Sequence, residues 1–144
     1  MFKRLARKIQ APFVWAVAVA GFAVSSAAFT ADAPGVLSGA QEVPPVMSKA
    51  SGRLDIVVGE DKSVTGGVDV SGIDGTTAHI HVGRTGVSGP AVVTLQKATA
   101  TRWTVPANTR LTDEQFRAYK ASELYVNVHS AAYAAGEIRA QIKP

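Results

Sequence analysis

The sequence predicts an all-β fold, an antiparallel, Greek-key-like β-sandwich or barrel of seven to eight strands with one short helix. Three observations predict it. Apolar residues alternate with polar ones over short runs, the period of a half-buried strand. Clusters of Gly, Pro, Ser and Asp separate these runs at regular spacing, as in sandwiches and barrels. Only one segment carries the start and stop signals of a helix.

The elements follow in chain order. "GVLSGAQEV" (35–43) reads as a first strand, ended by Pro44-Pro45. "SGRLDIVVGEDKSVTGGVDVSG" (51–72) reads as a hairpin: Leu54, Ile56 and Val58 alternate with Arg53, Asp55 and Val57, "GEDKS" supplies the turn, and Val64, Val68 and Val70 continue beyond it. Gly66-Gly67 marks a bulge in that return strand. "TTAHIHVG" (76–83) is the next strand, "RTGVSGP" a Gly-rich loop, "AVVTLQK" (91–97) the returning strand and "ATRWTVP" (100–106) a short one closed by Pro106. "LTDEQFRAYKAS" (111–122) is the helix, with Thr112 as N-cap, Asp113 and Glu114 in the first turn and Lys120 near the end. "ELYVNVHS" (123–130) and "GEIRAQIK" (136–143) complete the set; Ile138, Ala140 and Ile142 face one way, Glu137, Arg139 and Gln141 the other.

The N-terminus has a different character. Lys3, Arg4, Arg7 and Lys8 precede an uncharged apolar run from Ile9 to Ala31 that contains the small residues Ser26, Ala27 and Ala28. This is the pattern of a secretory signal peptide. It divides the chain into a signal at 1–28, a short linker at 29–35 and one domain at 36–144. Cleavage is expected after Ala28; a cut after Ala33 would leave Pro34 next to the scissile bond, and the competing reading is an uncleaved N-terminal anchor. The net charge of +4 resides in those four leading cations, and the remaining acidic and basic residues balance. The exported domain therefore lacks the basic patch that nucleic-acid binding requires. With the signal removed it has no membrane segment, and its place is the periplasm or the extracellular space. The chain has no cysteine, which excludes a lipoprotein anchor, a thiolate metal site and a cysteine nucleophile.

The chain holds three histidines, all beside strand-like runs. His79 and His81 are two apart on one strand and so face the same side, opposite Ile80 and Val82. In "LYVNVH", His129 shares a face with Tyr125 and Asn127, opposite Leu124, Val126 and Val128. If the two strands are neighbours, His79, His81 and His129 converge as a metal site. Neutral imidazoles suit copper, or zinc as the alternative. The plainer reading is three histidines on an exposed sheet face. No other chemistry is legible: there is no nucleophile elbow and no phosphate loop. Glu137 and Arg139 read as a solvated ion pair or cross-strand salt bridge, and Glu42 as structural.

"LSGAQEVPPV" (37–46), "AHIHVGRTGVSGPAVVTL" (78–95) and "LYVNVHSAAYAAGEIRAQI" (124–142) together resemble the chordin-type (CHRD) domain. The resemblance spans about residues 36–143. It implies a secreted all-β domain and carries no enzyme activity with it. Its motifs match at Glu42, Pro44 and Pro45; at His79, His81, Gly83, Gly89 and Pro90; and at Asn127, His129, Gly136, Glu137 and Arg139. The chain departs at "YAAGEIRAQ", where the family often has Pro-Gly before Glu-Ile-Arg. The histidine arrangement is also similar to the copper site of copper/zinc superoxide dismutase, without the further histidines of a bridged zinc site or a disulfide. The expectation is an exported CHRD β-domain that binds copper, or zinc, through His79, His81 and His129. The alternative is a metal-free structural or protein-binding module whose partner the sequence does not identify. An enzyme, superoxide dismutase included, is not expected.

Overall fold

The computed structural model describes residues 35–144; the signal, its cleavage points and most of the linker lie outside them. Eleven short strands are present: β1 Val36–Ser38, β2 Ser51–Leu54, β3 Val57–Val58, β4 Val64–Thr65, β5 Gly67–Ser71, β6 Gly75–Val82, β7 Ala91–Thr94, β8 Gln96–Lys97, β9 Arg102–Thr104, β10 Leu124–Ser130 and β11 Ile138–Ile142. Helix α1 spans Asp113–Lys120, and a single 3-10 turn, Gly39–Gln41, follows β1. Nine strands form one antiparallel sheet in the order β7-β6-β10-β11-β1-β2-β5-β9-β8; β3 and β4 pair separately.

The sheet is nearly closed into a barrel. Its two outermost strands, β7 and β8, are separated in the chain by Leu95 alone. A ribbon of nine strands whose ends lie one residue apart must curl until those ends meet. Leu95 is buried at this corner and donates its N–H to Ala78 O at 2.9 Å. With β7 and β8 taken as one bent strand, the run β10-β6-β7/β8-β9 has the spatial order of a Greek key.

The all-β class with one helix is as the sequence predicts, but the strands are shorter and more numerous. The hairpin read over 51–72 is cut into four strands, because Asp55-Ile56 and Gly66 (φ +91°) break the ladder where the chain bends at a barrel corner. The first strand stops at Ser38, not Val43: Gln41 Nε2 donates back to Val36 O at 2.7 Å, and Gly39 O accepts from Glu42 and Val46 N–H. The turn directs Glu42 inward instead of along the sheet.

Helix α1 forms where the caps predict. Thr112 Oγ1 accepts from Gln115 N–H at 3.2 Å and Gln115 Oε1 accepts from Thr112 N–H at 2.9 Å, a capping box. Lys62 pairs with Asp113, and Lys120 with Glu60 at 2.9 Å, tying the helix to the β3–β4 hairpin. These exposed pairs orient the helix and add little stability. The barrel interior holds Leu37, Val68, Ile80, Trp103, Leu124, Val126, Val128, Ile138 and Ile142, all buried. Tyr119 and Phe116 of the helix pack against this cluster.

Candidate metal centre

β6 and β10 are neighbours in the sheet, and their register decides what meets on the outer face. Asn127 lies opposite His79, Tyr125 opposite His81, and His129 opposite Thr77. Ala78, Ile80, Val126 and Val128 point into the barrel and are buried. The histidines therefore lie outside the barrel wall, as the alternation of each strand requires. Breaks in register flank them, between Ile80 and His81 against β7 and between His129 and Ser130 against β6. Such bulges re-aim side chains locally.

All three histidines come together. His79 Nδ1 and His129 Nε2 are 3.1 Å apart, and one ring nitrogen from each of His79, His81 and His129 lies within 4.8 Å of the others. The backbone fixes two of the three tautomers. His81 Nδ1 donates to Gly89 O at 2.8 Å and His129 Nδ1 to Ala134 O at 2.9 Å, because a carbonyl can only accept. In the neutral rings this leaves the lone pair on Nε2. His81 Nε2 is buried and has no hydrogen-bond partner. Desolvation holds the His79 and His81 imidazoles below their ordinary pKa, with the neighbouring rings adding to the effect. His79 and His81 are thus poised as neutral nitrogen donors.

A second layer of the chain covers this face. Arg139, opposite Asn127 on β11, is 2% exposed and donates from Nη2 to Arg84 O at 3.0 Å and Val87 O at 3.1 Å. Its guanidinium carbon sits 3.4 Å from the centre of the Tyr125 ring, and Tyr125 stacks in turn on His81 with centroids 4.7 Å apart. Gln141 Nε2 donates to Gly83 O at 2.7 Å. Loop 83–90 is thereby held down beside the histidines.

The solvated Glu137–Arg139 pair expected from the sequence does not form. Both residues are buried, and Glu137 Oε1 instead accepts from Ser48 Oγ at 2.6 Å. The alternation of β11 was legible, but alternation places a side chain on a face without saying whether loops will cover that face. Loops 83–90 and 39–48 do so here.

Glu42 is the other residue that these loops enclose. It is 7% exposed, and its Oε1 has no hydrogen-bond partner. Desolvation pushes its pKa up to about 7, against the smaller pull of the Arg139 charge, the Asn127 amide and the Val43 backbone. Gly136 marks how closely Glu42 and Asn127 approach the last turn. A Cβ at that position (φ +128°) would stand 2.5 Å from Glu42 Oε1 and 2.6 Å from Asn127 Nδ2. Site reasoning from the residues missed Glu42, Asn127, Tyr125 and Arg139; the motif match at three of them was the available signal.

Gly89 supplies the carbonyl that orients His81, and a side chain does not fit there. A Cβ would lie 1.7 Å from Val82 O, a backbone atom that cannot swing aside. Gly89→Ala is therefore expected to cost about 1–3 kcal/mol, as overpacking does, and to release His81 Nδ1. Thermal melts and the 15N shifts of the His81 ring check the two effects. A stability change within about 0.5 kcal/mol with unchanged shifts would contradict them.

In comparison with known proteins, the family model described as the CHRD domain matches residues 34–142. No curated protein and no solved structure matches the chain. Segments 37–46, 78–95 and 124–142, distant in sequence, supply Glu42, the His79–His81 pair and the Asn127–His129 pair to this one face.

Proposed function

The chain belongs to the CHRD domain family, and on that premise we propose that it is an exported β-domain that holds a copper ion through His79, His81 and His129, with zinc as the alternative occupant. One observation carries the reading: three imidazoles converge on one face, and the Nε2 lone pair of His81 is buried with nothing to accept from. A buried polar nitrogen without a partner is costly, and a cation relieves that cost. Nitrogen donors about 2.0–2.1 Å from an ion lie roughly 3–4 Å from one another, and the His79–His129 separation of 3.1 Å falls in that range. The all-imidazole set suits both metals.

A bound ion would supply a fixed positive charge on this face. The chain's own residues keep the His79 and His81 imidazoles neutral, orient His81 and His129 through Gly89 O and Ala134 O, and exclude water from one side by the Tyr125–Arg139 stack. The role is binding, without turnover. Export rests on the pattern of residues 1–28.

The test is Cu(II) and Zn(II) titration of the chain beside its His79→Ala/His81→Ala variant. The expected result is one ion per chain and loss of that site in the variant. Affinity is also expected to fall as pH drops through the imidazole range, which for His79 and His81 lies below the ordinary value of about 6.5, because protons compete for the same nitrogens. Equal stoichiometry and affinity in the two proteins would overturn the reading. It would leave the metal-free binding module, for which the exposed loop carrying Val43, Pro44, Pro45 and Met47 is the apolar contact surface.

A further inference from the structure

Asn127 turns its side-chain oxygen toward the histidines. Its Oδ1 stands 3.1 Å from His129 Nε2, and the residue is 2% exposed. His129 Nδ1 already donates to Ala134 O, so in the neutral ring Nε2 carries a lone pair. Two acceptors then point at each other in a buried place. His79 Nδ1 stands 3.1 Å from the same Nε2, so two imidazole nitrogens and an amide oxygen gather at one point; a proton there makes ordinary hydrogen bonds, and a metal cation would draw on all three atoms as donors. The amide has not turned over to present its N–H2 to His129, although doing so would make a good hydrogen bond. Its Nδ2 is on the side of Gly136, where a Cβ added at that glycine would stand 2.6 Å from it and 2.5 Å from Glu42 Oε1. Glu42 Oε1 lies on the same side as this nitrogen, and a carboxyl oxygen favours an amide N–H2 over an amide oxygen as its neighbour, which favours the observed orientation of the amide.

We propose that Asn127 Oδ1 is a fourth protein donor of the three-histidine site, and that Glu42, from behind the amide, is the positioning residue that keeps this oxygen turned toward the imidazoles. The inference rests on the metal reading above and deepens it: the donor set becomes three nitrogens and one neutral oxygen. The charged and titratable groups around Glu42 and the amide are Arg139 from β11 and the histidines from β6 and β10. None of these is placed as a hydrogen-bond partner of Glu42 Oε1.

The experiment uses the whole chain loaded with Cu(II), compared with Asn127→Leu and Asn127→Asp. Leucine keeps the volume and removes the oxygen. Aspartate keeps an oxygen and makes it anionic. Asn127→Leu is expected to weaken Cu(II) binding about 10–100-fold and to move the Cu(II) electron paramagnetic resonance parameters toward those of a site without the amide oxygen. Asn127→Asp is expected to retain tight binding with parameters shifted by the charged oxygen. Glu42→Gln, which lets the amide turn over, should reproduce part of the Asn127→Leu loss while the fold is retained. A merely structural asparagine would alter the stability of both Asn127 variants without moving the spectrum. Tight binding by Asn127→Leu with the wild-type spectrum would overturn this inference alone. Absence of Cu(II) binding by the wild-type chain would overturn it together with the proposed function, and the two failures are told apart by the wild-type titration. If Asn127→Leu does not fold, the spectrum of Asn127→Asp decides: parameters identical to wild type would overturn the inference.

Discussion

Ile80→Ala is expected to lower stability by about 2–5 kcal/mol, the range for removing a large aliphatic side chain from a packed core. Ile80 lies between His79 and His81, so a facing error would exchange a core residue for a surface one. It is 1% exposed, pairs with Val126 of β10 and Val93 of β7, and belongs to the continuous barrel core. Urea unfolding at constant m measures the loss. A change within about 0.5 kcal/mol, the size typical of surface positions, would mean that the strand faces the other way.

Glu42→Gln is expected to change stability in a pH-dependent manner. The folded chain holds the Glu42 proton more tightly than the unfolded chain, since burial pushes the pKa from 4.5 up to about 7. Between those values the folded state binds a proton that the unfolded state has released, so wild-type stability falls as pH rises through this window. Above pH 7 the penalty is complete; below pH 4.5 it is absent. At about 1.36 kcal/mol per pKa unit, the ionised carboxyl costs up to about 3 kcal/mol. Glutamine cannot ionise. The variant should therefore match wild type near pH 4 and exceed it by as much as that figure at pH 8. Chemical denaturation at the two pH values checks the sign. A pH-independent difference would show that Glu42 keeps its charge at no cost when folded.

Much of this protein was legible because strand periodicity is a strong local signal. The outward pointing of His79, His81 and His129 and the burial of Ile80, Val126, Val128 and Ile138 follow from alternation alone. Their convergence followed once β6 and β10 were taken as neighbours, and the structure makes them so. Alternation could not reveal the cover over the outer face. A strand that reads Glu137, Arg139, Gln141 on one side looks half-solvated, yet Arg139 is buried because two loops distant in sequence close over it. Strand counts failed for a related reason. A barrel bends its strands at corners, and Leu95 divides one apparent strand into two that end on opposite edges of the sheet.

The seam between β1 and β11 has a consequence for the order in which the domain assembles. β1, the first described strand, pairs with the last, and β6 pairs with β10 across the intervening helix. Closing such distant segments costs loop entropy before any contact repays it, so folding is expected to be slow for a domain of this length. The barrel wall also stays incomplete until nearly the whole chain has been synthesised. A nascent chain in this condition remains threadable, and the face that gathers His79, His81 and His129 does not exist until β10 docks. Ion capture would therefore coincide with the end of folding, and the rate of copper uptake by a refolding chain would time the closure of the barrel.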